Sequence, residues 1–418
     1  MNYDPFAPDT LADPFPAYAW LRRECPVHRT DTRGLHFTTL ARHADVLDAL
    51  KDVGSFSSRY GQGPFRSEPV ALFDDPPSHT VFRRLVTTAF TPRAVAQRHD
   101  MIAALVRELV DAMLAAPESA ADFHDTVAMP LPTIVIARML GVPEDLRDTF
   151  KRWSDAQVAG MGAGDVDEQR RTRREMHDYF LAEIGRRRSL LAAGAPCPDD
   201  LVSSLVTAVV DESTARNARA GRADAGADGA AAPAADEPRP ISDAELLSLL
   251  VQLLVGGNET TTSLVTNLVW RLLERRERWE AVVADPGLVD VAIEESLRHD
   301  PPVLGLYRTT TCPVGVAGET IAADEKVMLL WAAANRDAEV WDDPEEFRLD
   351  RDLASLRGRH LSFGFGIHAC PGAPLSRLEA RLVLTELVER VPTLELAAPP
   401  TRIEPFFLWG RRTLPVRW

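Results

Sequence analysis

Cysteine is scarce in this chain, with four residues in 418: Cys25, Cys197, Cys312 and Cys370. They stand at wide intervals with no CxxC pair, which argues against a disulfide framework and against a cysteine zinc cluster. A lone cysteine is ordinarily a small buried hydrophobe, so at most one of the four has a chemical task. Basic charge is short as well: 47 Lys and Arg face 62 Asp and Glu, a net charge of -15. Phosphate binding needs a surplus of cations, so a nucleic-acid partner is not expected. Long apolar runs are also missing. The densest, Leu246 to Val255, is broken by Ser248 and Gln252 and falls short of the roughly 20 residues that span a bilayer. Near the N-terminus, Asp4, Asp9, Asp13 and repeated prolines occupy the place where a signal peptide needs an unbroken apolar stretch. The expectation is a soluble cytoplasmic protein with no membrane partner.

What is present is enough apolar material for a large core, 45% of residues, in a length that allows two or three domains. Leu35 to Leu40 reads as a short strand. Helical spacing of apolar residues covers Arg42 to Leu50, His79 to Phe90, Arg98 to Ala115, Pro143 to Val158 and Glu168 to Leu191. Between Asp211 and Pro240 the composition collapses into Ala, Gly, Asp, Arg and Pro, which offers nothing to offset ordering entropy and predicts a flexible insertion loop at 211–240. A long helix follows, opened by an S-x-x-E capping box of Ser242 and Glu245 and running to about Arg275. Another, Val289 to His299, is stopped by Pro301 and Pro302. Alternating residues from Tyr307 to Leu330 predict short strands and turns, and a final helix covers about Leu375 to Val391. The fold class is mainly α with a small β part.

The most informative segment is Phe363-Gly364-Phe365-Gly366-Ile367-His368-Ala369-Cys370-Pro371-Gly372. Three glycines in ten residues, just before a helix, give a sharply turning backbone that another group can approach closely. A thiolate at the head of that helix meets free amide donors and the positive end of the dipole, conditions that favour the anion and suit a metal ligand.

This F-G-x-G-x-H-x-C-x-G run, followed by Ala373, Pro374, Leu375 and Arg377, resembles the haem-binding signature of the cytochrome P-450 family. The resemblance implies a helix-rich prism around a buried haem b. It makes Cys370 the axial iron ligand, whose electron donation favours O–O cleavage, sets Phe363, Gly364 and Gly372 against the cofactor, and brings His368 to a haem propionate.

Within the long helix, Gly256-Gly257-Asn258-Glu259-Thr260-Thr261-Thr262 is poorly explained by propensity, since a mid-helix glycine costs roughly 1 kcal/mol relative to Ala. Absent side chains at Gly256 and Gly257 let a flat cofactor approach. The Thr260 hydroxyl can bond back to the Gly256 carbonyl and open the helix locally. The run is similar to the family's G-x-E/D-T-T element, which implies Thr260 as proximal proton donor and Glu259 as relay; Asn258 takes a position often filled by His.

Weaker constellations recur in the family's order. Glu295 and Arg298, at i and i+3, match its structural ion pair. In the segment that usually supplies a third member, Glu346 stands where an arginine is expected, with Arg351 as the candidate substitute. His79 and Arg83 share a helix face, a cationic pair suited to a carboxylate; with Arg308 they match propionate contacts of the family. Asn335-Arg336-Asp337 resembles N-R-D-P, with Ala338 replacing proline. These matches span about Asp75 to Leu378, placing residues on both sides of 211–240 around one cofactor and implying one domain over 1–418.

The resemblance implies insertion of one oxygen atom from O2 into an apolar small molecule, by hydroxylation or epoxidation, in a monomer. No flavin or iron–sulfur segment is visible, so electrons are expected from a ferredoxin and its NAD(P)H-dependent reductase, docking at Arg377, Arg381 and Arg84. Pocket contacts are expected within Tyr60 to Phe73, Val303 to Leu306 and Phe406 to Trp409, with Phe65, Leu253, Val303, Leu304, Phe406 and Phe407 as candidates. Rival functions are a peroxygenase, isomerase or dehydratase of the haem-thiolate type, disfavoured by the Glu259–Thr260 pair, and a non-catalytic haem sensor or scaffold, disfavoured by Cys370 with that pair and by the lack of an output segment.

Overall fold

A computed structural model describes residues 3–66, 71–159, 166–211 and 238–418. The helices that build the site are, in chain order, α1 (Phe15–Glu24), α2 (Ser78–Thr87), α3 (His99–Leu114), α4 (Pro130–Leu140), α5 (Arg147–Ala159), α6 (Val166–Ala192), α7 (Asp243–Leu273), α8 (Val289–His299) and α9 (Ala373–Arg390). The α7 helix opens on the expected box: the Glu245 amide donates to Ser242 Oγ at 3.3 Å and the Ser242 amide to Glu245 Oε2 at 2.8 Å. First-turn donors are thereby satisfied, and 31 residues follow as unbroken α-helix. Prolines stop α8 one residue after its C-cap, as expected.

The helix α4 escapes the periodicity rule. Leu131 through Ala137, Met139 and Leu140 are all buried, so it has no polar face to betray a helical repeat, the pattern of a helix enclosed on every side. The prolines at 130 and 132 sit in its first turn, where a missing amide proton costs nothing.

The sheet part is small. Strands β1 (Val27–Thr32), β2 (Leu35–Leu40), β3 (Phe56–Ser57), β4 (Leu306–Thr310) and β5 (Lys326–Leu329) pair in the order β1-β2-β5-β4-β3, with only the β2–β5 ladder parallel. The expected alternation after Tyr307 appears as β4, a hairpin of Val314–Val316 with Glu319–Ile321, and β5. This is the helix-rich architecture with a minor sheet that the sequence predicts.

The largest apolar cluster draws on residues from Ala71 to Val416, with Leu246, Leu250, Leu254 and Leu268 of α7 at its middle. Asp300, fully buried after α8, fixes the far end of α7: it accepts from Arg271 Nε at 2.6 Å and from Trp409 Nε1 at 3.0 Å. Most of the expected insertion, 212–237, lies outside the described residues. Its flanks are paired, however, which narrows the expected loop: Val209 and Val210 form an antiparallel ladder with Pro240 and Arg239. Arg239 also forks onto Glu245 at 2.6 and 2.8 Å. Among the described residues, no helix is long and apolar enough to cross a membrane.

Candidate active site

The cysteine loop is built by its glycines and by a backbone clasp. Gly364 and Gly366 take φ values of +68° and +70°, which side-chain-bearing residues rarely adopt. The loop then folds back so that the Cys370 amide donates to the Phe363 carbonyl at 2.7 Å. The α9 helix starts three residues after Cys370. The sulfur opens onto a cavity that also takes in Phe363, Gly364, His368 and Gly372 and holds about 1500 Å³ of space free of protein atoms, counting its mouth. Cys370 is exposed to this cavity, yet desolvation by the protein around it pushes its thiol up from its ordinary value, against the opposing pull of the Gly372 amide, Arg83, the Ala373 amide and Arg377. The expected stabilisation by helix amides and cations is therefore present, but desolvation outweighs it; a bound metal cation would reverse that balance, since it deprotonates a coordinating thiol outright.

Beside the sulfur, three elements bring cationic or imidazole groups together without a carboxylate to match them all. His79 from α2 and His368 from the loop lie with ring centroids 4.2 Å apart. Both His79 ring nitrogens and His368 Nε2 are buried without a hydrogen-bond partner among the described residues. Burial, then the neighbouring Arg83, holds His79 down to about 4, and burial followed by His79, Arg308 and Arg83 holds His368 down to about 3. Arg308, 4% exposed, donates to the Tyr307 carbonyl at 2.9 Å, and burial lowers it to about 10. Buried donors left unmatched cost free energy until an acceptor arrives. A flat dicarboxylate with a thiolate-binding metal fits this set.

The α7 wall carries the threonine run. Thr260 Oγ1 donates to the Gly256 carbonyl at 2.7 Å, as expected, yet the helix stays α-helical across it rather than opening. The two glycines differ: a Cβ on Gly256 would meet nothing within 4 Å and would project into open space, whereas one on Gly257 would touch Ile136 of α4 at 3.6 Å. Gly256, Gly257, Thr260 and Thr261 all line the cavity. Glu259, one position back and about 100° round the helix, is outside that lining and accepts from Ser263 Oγ at 3.0 Å. Thr261 Oγ1 meets Ser376 Oγ of α9 at 2.9 Å, joining the two helices that wall the cavity.

The sequence pattern of the family described as cytochrome P-450 matches residues 13–410. The chain belongs to the cytochrome P-450 family. Similar proteins include the cytochrome P-450 monooxygenase PikC of Streptomyces venezuelae, 36% identical over 98% of this chain and 92% of PikC. A steroid C26-monooxygenase of Mycolicibacterium smegmatis is 35% identical over 96% of this chain and 91% of its own. Among solved structures, CYP109Q5 from Chondromyces apiculatus superposes with a TM-score of 0.83 at 34% identity, covering 100% of this chain and 98% of that one. The protein is accordingly a P-450 monooxygenase, an oxidoreductase that uses O2 and a separate source of electrons, and its cofactor is haem b.

In this P-450 the ion pair is closed and its third member identified. Arg298 Nε and Nη2 each donate to Glu295 at 2.7 Å, with both side chains fully buried. Arg351 supplies the missing arginine, donating from Nε to Glu295 Oε1 at 3.1 Å, while Glu346 contributes only its carbonyl to Arg298. Arg298 also bonds the Asn335 carbonyl at 3.0 Å, and the Asn335 side chain holds the Leu361 amide at 2.7 Å and Ser362 Oγ at 2.8 Å. The pair thus anchors the root of the cysteine loop.

Four pocket candidates are corrected. Leu253 and Val303 line the cavity, but Phe65 is 67% exposed on the surface. Leu304, Phe406 and Phe407 belong to a separate core with Tyr18 and Trp409; Leu304 follows Val303 in an extended segment and so faces the other way, and the Phe406 ring packs on Phe6 at 4.7 Å. Two docking arginines are also committed elsewhere: Arg377 forks onto Glu294 at 2.7 and 2.9 Å and Arg381 onto Asp290 at 2.6 and 2.9 Å, leaving Arg84 exposed.

Three further residues take roles that the sequence does not specify. Asn258 is buried between helices, donating to Ser154 Oγ and accepting from Thr133 Oγ1, both at 2.7 Å, so the departure from His there serves packing of α7 against α4 and α5. Gln252 of α7 lines the cavity, its Nε2 donating to Ser248 Oγ at 2.8 Å. Glu379 of α9 lines it too, 2% exposed and with Oε2 unpartnered among the described residues.

Proposed function

We propose that this P-450 inserts one oxygen atom of O2 into an apolar small organic molecule, by hydroxylation or epoxidation, with electrons from a ferredoxin and its NAD(P)H-dependent reductase. The carrying observation is a cavity that joins Cys370 to the Thr260 hydroxyl beneath largely apolar walls, among them Leu72, Phe90, Ile136 and Leu264. Such walls exclude water and favour an apolar ligand. Relatives named steroid C26-monooxygenase, vitamin D(3) 25-hydroxylase and erythromycin C-12 hydroxylase agree with a substrate of that kind.

In this reading Cys370 is the iron ligand, and His79, Arg83, Arg308 and His368 receive the carboxylates of the cofactor, which would satisfy the unmatched imidazole nitrogens. Haem b, when bound, supplies the oxygen-activating chemistry. Thr260 holds a proton at Oγ1, parked on the Gly256 carbonyl, and can swing it toward the cavity. Glu259, outside the lining, replenishes that proton from the Ser263 side. The exposed Phe365 and Ile367 of the cysteine loop, 42% and 40% accessible, with Lys51 Nζ 5.9 Å from the Phe365 ring centroid, offer a mixed apolar and cationic footing for an acidic electron carrier.

The experiment compares turnover by the holoenzyme with ferredoxin, reductase, NADPH and O2 against turnover with peroxide alone. Thr260→Ala should retain haem and consume NADPH, but divert most of it from organic product to peroxide. Product that forms with peroxide alone, or unchanged coupling in the variant, would overturn the assignment.

A further inference from the structure

We infer that Lys326 is a positioning residue for the cavity wall at Gln62: its buried amine fixes a bulge of chain at Tyr60 and Gly61, and release of that bulge opens the wall to bulky ligands. The chain from Phe56 to Gln62 runs along the outer edge of β4. Phe56 and Ser57 pair with Thr310 and Thr309 as β3. The next residues turn away from the sheet, closed by the Gly61 amide on the Ser58 carbonyl at 2.9 Å, and Gln62 returns to the edge, where its carbonyl accepts from the Tyr307 amide at 3.1 Å. Gln62 lines the cavity, as do Leu306 and Arg308 of β4, so the bulge sets where this part of the wall stands. Two anchors hold it. Asp75 takes its start, accepting from Ser57 Oγ at 2.5 Å and from the Ser58 amide at 3.0 Å. Lys326 of β5, opposite Thr309 in the ladder, takes its far end, with Nζ donating to the Tyr60 carbonyl at 2.8 Å and the Gly61 carbonyl at 2.9 Å.

The second anchor is an amine without an anion. Lys326 is 6% exposed, and the nearby carboxylates of the described residues are engaged elsewhere: Asp324 with Arg66 at 2.5 Å, Glu325 with Thr38 Oγ1 and the Ala322 amide, and Asp75 at the start of the bulge. Arg59 and Arg66, both over the Tyr60 ring, and Arg308 on β4 add only positive charge. Burial, then Arg66 and Arg308, hold the amine down from its ordinary 10.5 to about 8. A neutral amine keeps two N–H groups, enough for both carbonyls. If the bulge lets go, Lys326 returns to water and to its ordinary value. Between the two values the open form keeps a proton that the closed form has released, so raising pH favours closure, by about tenfold from pH 7 to pH 9. The same linkage makes the ammonium the form in which the wall parts more readily.

The test follows the rates at which two iron ligands that do not titrate, carbon monoxide and the bulky cyclohexyl isocyanide, enter the reduced holoenzyme between pH 7 and 9. In wild type the isocyanide should enter about tenfold more slowly at pH 9 than at pH 7, while carbon monoxide keeps one rate. Lys326→Met retains the length of the side chain but leaves both carbonyls without its amine. The variant should admit the isocyanide about tenfold faster than wild type at pH 7, the scale of a hydrogen bond from a charged donor, and its rate should no longer vary with pH. A pH-independent isocyanide rate in wild type, equal isocyanide rates in the two proteins at pH 7, or a carbon monoxide rate that changes as much as the isocyanide rate overturns the inference. The wild-type profile needs no variant, so a Lys326→Met protein that fails to fold does not remove the test. The measurement uses no O2, redox partner or product, so it stands or falls apart from the monooxygenase proposal.

Discussion

Burial without a counter-charge drives a carboxyl group toward its neutral form, and Glu379 is in that position: desolvation alone raises it from 4.5 to about 8. Between those values the folded protein keeps a proton that the unfolded chain has released, so this group's contribution to stability is fullest below pH 4.5 and is lost as pH rises through 8. The accumulated loss is on the order of 5 kcal/mol. Glu379→Gln keeps the shape and removes the titration. Urea unfolding of both proteins between pH 5 and 8 should show wild type losing stability relative to the variant; parallel profiles would mean that Glu379 finds a partner. No pattern in the sequence announces this residue, because its burial is set by tertiary packing and not by its local sequence. The same holds for the pocket as a whole. Cys370 and Thr260 are legible because their local sequences are unusual, whereas Arg308 is read only through the family resemblance. Val303 and Leu304 are equally apolar neighbours, and only the direction of the backbone decides that one faces the cavity and the other a core.

At the scale of elements, what can be read from the chain is what has a boundary. The capping box before α7, the prolines after α8 and the glycines before α9 are local chemical stops, and those helices fall within about two residues of their expected limits. Helix α4 has no polar face and so offers no period to read. Arg351 was reachable as the partner of Glu295 only because Glu346 visibly could not serve. That cluster governs the cysteine loop through Asn335, and its buried charges depend on each other. Removing one member of such a group leaves the others uncompensated, a cost of about 3–5 kcal/mol. Glu295→Gln should therefore lower the unfolding free energy measured in urea by that order and speed haem loss to an apomyoglobin acceptor. A variant that retains haem like wild type would show that the loop root stands without the pair.

For the whole molecule, the acidic balance of -15 is distributed with many arginines already paired, including the two nearest α9's start. Long-range attraction to the proposed acidic carrier would therefore depend on a few uncommitted cations more than on overall charge. The chain also leaves the core at Val210 and re-enters it at Arg239 along adjoining rungs of one ladder, with Arg239 pinned to the same glutamate that caps α7. Exit and return are stitched together independently of whatever hangs between them. Replacing residues 212–237 with a two-residue Asn-Gly turn, the natural closure for an antiparallel pair, should leave the melting temperature within a few degrees and the reduced carbon monoxide spectrum intact. A collapse of either would reveal that the excised stretch is structural. If both survive, the ladder is a ready-made splice point, a place where this scaffold can accept or shed whole passages of sequence without its catalytic half noticing.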